Sequence, residues 1–181
     1  ILVSPVGARS IGEAVRLNFK VHKKVGELLS KSLDYPVGKG DEGGWSPGMS
    51  DEQALEVARE AVDVVQDAEG TKMAMGVDFA ADSLYDEKSE TYYYRASKKR
   101  LSIEQQIAYA SELRDRYNLF YMEDPLHEED FEGYSKLMGS LKGTLVVGDD
   151  LYTTDPERLR RGVESKSKNG VILKVNQIGA L

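Results

Sequence analysis

Apolar positions recur at two different spacings along this 181-residue chain. After Ser50, the residues Leu55, Ala58, Val62 and Val65 fall three or four apart, and after Ser102 the set Ile103, Ile107, Ala110 and Leu113 does the same. That repeat predicts helices that each bury one stripe. Both begin on Ser with Gln three residues later, and Ser10 with Glu13 repeats the arrangement. In such a start the Ser hydroxyl takes an orphan amide while the Glu or Gln side chain returns a bond to the cap amide. Asp155-Pro156 predicts a further helix running to about Val163, since Asp caps and Pro is tolerated at the first helical position. Another covers Phe131 to Leu141.

Between these stretches lie apolar runs too short for helices: Lys72 to Val77, Leu119 to Met122, Thr144 to Val147 and Val171 to Val175. They read as buried strands. Strand and helix in steady alternation imply a parallel sheet with crossover helices, because parallel neighbours need a long return connection. The fold class is therefore α/β, as a barrel or an open sheet. The segment from Asp82 to Arg100, with Tyr92, Tyr93 and Tyr94 inside it, breaks the alternation and predicts an excursion or hairpin.

With 40% hydrophobic and 30% charged residues, the chain can bury a sizeable core as one domain or part of one. Its 24 basic and 31 acidic residues give a net charge of -7, which argues against nucleic acid as a partner and suits a site built around cations. There is no Cys, so disulfides, thiol nucleophiles and thiolate zinc sites are excluded. His22 falls in a helical pattern and His127 in an acidic, exposed stretch, and both read as structural or solvated rather than as ligands. No apolar run approaches the roughly 20 residues of a membrane span, and the expected setting is cytoplasmic. The chain opens on ILVSPV without an initiator Met and ends on QIGAL, so an internal fragment is expected.

The chemistry concentrates where strands end. Asp78 follows MAMGV, Glu123 follows LFYM, Asp149 follows LVVG, and Lys174 follows VIL. In a β/α barrel the C-terminal strand ends converge on one mouth, so these acids and this amine would face one another. An acid set without His or Cys is an oxygen-only site, which suits Mg²⁺ rather than zinc or copper. A salt-bridge cluster neutralised by Lys174 is the alternative. A lysine beside a divalent cation should have a depressed pKa, which makes Lys174 a candidate base.

The run VGKGDEGGWSP matches G-x-G-x-x-G at Gly38, Gly40 and Gly43. A dinucleotide loop fails here, since Asp34-Tyr35-Pro36 precedes it in place of a strand and Asp41 and Glu42 would repel the phosphates. A plain turn remains as the alternative to an acid-bearing loop.

Taken together, PVGARS, GDEGGWSP, MGVDFAADSLY, MEDPLHEEDF, VGDDLYTTDPER and ILKVNQIG stand in the order of the enolase family, which the chain resembles along its length. A lysine base with Mg²⁺ holding an enediolate is the general pattern of that superfamily. The resemblance implies a partial TIM-type β/α barrel, with the family's N-terminal domain and last barrel strands outside the chain. It implies Mg²⁺ held by Asp78, Glu123 and Asp149, and a substrate pair of 2-phosphoglycerate and phosphoenolpyruvate contacted by Glu123, Asp149 and Lys174. Lys174 would then remove the C2 proton and Glu42 would protonate the leaving C3 hydroxyl. It also implies a homo-oligomer, dimer or larger. Asp41 and Asp150 acquire no role. A whole barrel takes roughly 250 residues and eight strands, of which this chain supplies about five, so the isolated polypeptide is expected to be inactive or nearly so. Two alternatives stand: another superfamily enzyme forming an enolate on a different acid, and a non-catalytic module using Tyr92-Tyr93-Tyr94-Arg95 and Lys98-Lys99-Arg100 to bind single strands.

Overall fold

The computed structural model describes residues 1–167 and 169–179. They form two compact units, Ile1–Met75 and Gly76–Leu181. The first contains β1 (Leu2–Ser4), α1 (Ile11–Ser32), a hairpin of β2 (Gly38–Lys39) with β3 (Trp45–Ser46), and α2 (Asp51–Glu69). The helices α1 and α2 pack on each other. Leu17, Val21 and Leu29 are buried on α1, and Leu55, Ala58, Val62 and Val65 on α2, the stripe that the spacing predicts. Ser50 makes the full reciprocal cap with Gln53. Ser10 makes only half of one: it accepts the Glu13 N–H at 3.2 Å, while the Glu13 carboxylate accepts the Arg9 N–H at 2.8 Å. Arg9 adds a guanidinium 3.4 Å away, and a charged partner outcompetes the cap amide.

The strand β4 (Ala74–Asp78) leads into the second unit. There follow a 3₁₀ turn (Ala81–Leu84), β5 (Tyr85–Asp86), β6 (Thr91–Tyr94), β7 (Lys99–Leu101), α3 (Ile103–Tyr117), β8 (Leu119–Glu123), α4 (Phe131–Ser140), β9 (Leu145–Gly148), α5 (Pro156–Ser165) and β10 (Gly170–Val171). In this unit β4, β8, β9 and β10 lie side by side in that order. The strand β9 runs parallel to both neighbours, with Met122 opposite Val146 and Val147 opposite Gly170. The row is open and does not close into a barrel. Close approach of β4 to β8 needs Gly76, where a Cβ would lie 2.7 Å from Tyr121 Cβ.

Two predicted elements change shape. The run Val171 to Val175 pairs only over Gly170–Val171, with one further bond from Ile172 N–H to the Gly148 carbonyl at 3.0 Å. Since β9 ends at Gly148, the chain beyond has no backbone to pair with, and Leu173 and Val175 are exposed. The excursion at 82–100 becomes a three-stranded antiparallel meander, β5–β6–β7. Tyr92 and Tyr94 are buried by strand alternation, and Tyr93 is exposed with the Arg100 guanidinium 5.1 Å above its ring.

On α3 the buried stripe is Gln106, Tyr109, Ala110, Leu113 and Tyr117, so the face is rotated from the predicted one and Ile103 and Ile107 are only half-buried. A polar residue holds the inner position because both ends of its amide are used. Gln106 Oε1 accepts from the Tyr94 hydroxyl and its Nε2 donates to the Pro125 carbonyl, each at 2.9 Å. Gln106→Leu is therefore expected to destabilise the protein by roughly 1–3 kcal/mol despite its similar size, read as a lowered urea midpoint. An unchanged midpoint would show that the bridge contributes nothing. Among the described residues, no helix is long and apolar enough to cross a membrane.

Candidate active site

The second unit gathers its acids at one end of the parallel row. Asp78 is the last residue of β4 and Glu123 the last of β8, and Asp149 follows β9 directly. Phe79 N–H donates to the Glu123 carbonyl at 2.9 Å, which joins the first two strand ends. Asp124 joins the second to the third: its buried carboxylate accepts Asp149 N–H at 3.1 Å and Asp150 N–H at 2.7 Å.

This crowding shows in the protonation equilibria. Desolvation by surrounding protein pushes the Asp78 carboxyl up; the Ala80 N–H, donated at 2.9 Å, pulls against it, and repulsion from Asp124 and Asp149 adds to the rise. Glu123 is likewise raised, by burial first, against a 2.5 Å bond from the Tyr121 hydroxyl, with Asp78, Asp124 and Asp149 repelling. Asp150 follows the same pattern, burial leading and Asp124 and Asp149 next. Carboxylates that raise one another mark a place short of positive charge.

Lys174 supplies some. Its Nζ donates to Asp149 Oδ2 at 2.5 Å, and its backbone N–H donates to Thr154 Oγ1 at 2.9 Å. The pair holds the ammonium above the usual lysine value. The depressed pKa expected of a lysine beside a divalent cation is therefore not produced by the protein groups alone, because the nearest one is an anion. Thr153 and Thr154 both lie at positive φ, 44° and 60°, an unusual conformation for β-branched residues that costs on the order of 1–3 kcal/mol each. That path is what brings Thr154 Oγ1 to Lys174.

Among the described residues, no group of three or more His, Cys, Asp or Glu side chains is gathered closely enough to hold a metal ion. The donor chemistry nevertheless fits a hard cation. Asp149 Oδ1 is buried without a hydrogen-bond partner, and the acids around it offer oxygen alone. Glu42 lies in the first unit, exposed in the β2–β3 hairpin loop. His127 is half-buried rather than exposed: its ring stacks on Tyr85 at 4.4 Å and its Nδ1 bonds to Asp82.

The model of the enolase C-terminal TIM barrel domain matches residues 1–181 of the chain. The chain belongs to the enolase family. It is 47% identical to an enolase of Archaeoglobus fulgidus over 99% of its own length and 44% of the relative's. It is 43% identical to enolases of Methanocorpusculum labreanum and Thermoplasma acidophilum, again over 99% of its length and 45% and 44% of theirs. The chain thus spans less than half the length of these curated relatives.

Within this enolase domain the strand-end acids and Lys174 were visible from spacing, but the groups that seat them were not. Asp124, Thr154 and Tyr121 act through a buried carboxylate, a left-handed threonine and a phenol. The signal for Asp124 was its place between Glu123 and Pro125, where a short acid tolerates the left-handed turn that the chain takes at φ 37°. Thr154 carried no such signal.

Proposed function

We propose that the chain carries the metal-binding acids and the acid–base pair of a Mg²⁺-dependent enolase reaction, the reversible dehydration of 2-phosphoglycerate to phosphoenolpyruvate. The observation that carries this reading is Asp149: one oxygen pairs with Lys174 while the other is buried and unpartnered, at a strand end beside Glu123. Asp78, Glu123 and Asp149 would hold the ion, whose charge, when bound, stabilises the negative charge developing at the substrate carboxylate. Lys174, whose ammonium is held by Asp149 Oδ2 in this structure, would have its pKa lowered beside a bound cation and would then take the C2 proton. The electron pair of the C2–H bond would first be held as the enolate of the substrate carboxylate; it then becomes the C2–C3 double bond as the C3–O bond breaks, and Glu42 donates the proton with which the hydroxyl leaves as water. The same reading carries a cytoplasmic setting and a homo-oligomeric assembly, and assigns full turnover to a protein of the relatives' length rather than to this chain alone.

Calorimetric titration with Mg²⁺ tests the metal assignment. Asp149→Asn removes the charge while keeping the shape, and the affinity is expected to fall about tenfold or more. Binding unchanged by that substitution would remove Asp149 from the metal shell.

A further inference from the structure

The hairpin that bears Glu42 is too small to hold itself. Its strands pair only Gly38 with Ser46 and Lys39 with Trp45. Its loop is closed by Gly40 N–H to the Gly44 carbonyl and Gly43 N–H to the Gly40 carbonyl, both 2.9 Å, with Gly43 at φ 79°. That is the pattern of a three-residue hairpin loop with glycine in the left-handed position, and it makes Asp41 and Glu42 the central residues of the turn. An isolated hairpin of this size is marginal in water.

What steadies it lies on α1. His22 Nε2–H donates to the Gly43 carbonyl at 3.0 Å, and because a carbonyl only accepts, the proton sits on Nε2. The Trp45 indole N–H donates back to the His22 carbonyl at 2.8 Å. The two rings stack with centroids 5.3 Å apart and planes at 22°. The indole also covers buried Gly26, where a Cβ would come 2.8 Å from Trp45 Cε2, and the Lys39 ammonium lies 4.6 Å from the ring. One bond reaches the residue next to Glu42 and the other locks the strand that leaves the loop.

We propose that His22 and Trp45 are positioning residues that fix the Glu42 loop for proton donation. The proposal rests on the reading of Glu42 as the acid. An acid must reach hydrogen-bond distance of the leaving oxygen, and a misplacement of about 1 Å can cost on the order of 100-fold in rate.

Two variants separate positioning from folding. His22→Phe keeps a ring for the stack and removes the donor to Gly43, while His22→Gln keeps a donor. In a protein of the relatives' full length that carries this chain, His22→Phe is expected to slow dehydration about 100-fold with C2 hydrogen exchange at its native rate. His22→Gln is expected to recover part of the loss. A Glu42→Gln control measured alongside reports on the acid assignment itself: normal dehydration in that control would refute the functional reading, whatever His22 does. If the control fails to dehydrate while His22→Phe dehydrates normally, or if His22→Phe loses exchange and dehydration together, the positioning role is overturned. An independent readout comes from the 181-residue chain, whose single tryptophan is Trp45. Gly26→Ala should expel the indole and raise its quenching by acrylamide at unchanged helix content, and unchanged quenching would contradict the latch.

Discussion

In a protein of the relatives' full length that carries this chain, Lys174→Ala is expected to lower turnover of 2-phosphoglycerate by about 1,000-fold or more, and to stop exchange of the C2 hydrogen with solvent as well. Both losses follow from the order of the proposed reaction: if the proton leaves C2 before the hydroxyl leaves C3 and Lys174 is the base, a protein without it does neither. The side chain stands at the end of the parallel row, about half exposed, with its amine on Asp149 and its backbone held by Thr154. Lys174→Arg makes the sharper variant. A guanidinium keeps the charge and the pairing with Asp149 but cannot give up its proton near neutral pH, so exchange should fail there too while Mg²⁺ binding persists. Deuterium incorporation at C2, followed by NMR, measures it. Native exchange in Lys174→Arg would exclude Lys174 as the base.

Asp124→Ala is expected to destabilise the protein by roughly 3 kcal/mol or more, the largest stability effect of any single residue at the site. The carboxylate is 2% exposed and takes two amides at the end of β9, each a bond to a charged acceptor worth about 1.5–3 kcal/mol. Alanine also fits the left-handed backbone at φ 37° less well than Asp, whose short polar side chain bonds locally. Asp124→Asn keeps the shape and the tolerance for that backbone, so about half the loss is expected. Urea unfolding with an unchanged slope measures both. A native midpoint in Asp124→Ala would show that the strand ends are seated by something else.

Periodicity located the elements wherever burial alone decided them. The stripe of α2, the caps at Ser50 and Ser102, and β8 and β9 follow from apolar spacing and local capping chemistry. Spacing failed where a polar group was worth burying, as with Gln106, and where a neighbour ran out, as with β10 beyond Val171. The stretch around Glu42 reads in the sequence as an acid-bearing loop or a plain turn and not as a hairpin, because two-residue strands have too few positions to show alternation. Of the proposed site, the strand-end positions of Asp78, Glu123 and Asp149 were legible because strand ends place charges predictably, whereas Lys174 lies three residues past the end of β10. Asp124, Thr154 and His22 were not, since each matters through a long-range bond to backbone that only the folded chain creates. His127 misled for a related reason: an acidic neighbourhood reads as exposed until Tyr85 and Asp82 close over the ring.

Hydrogen exchange at C2, measured beside phosphoenolpyruvate formation in Glu42→Gln and with the chain in a protein of the relatives' full length, separates proton removal from loss of water. Exchange is expected to continue at close to the native rate while dehydration falls by a factor on the order of 100 or more, because Lys174 still takes the proton and only the donor to the leaving hydroxyl is gone. Dehydration at the native rate would contradict the division of labour between Lys174 and Glu42, and so would loss of exchange in a variant whose Lys174 and metal-binding acids are intact.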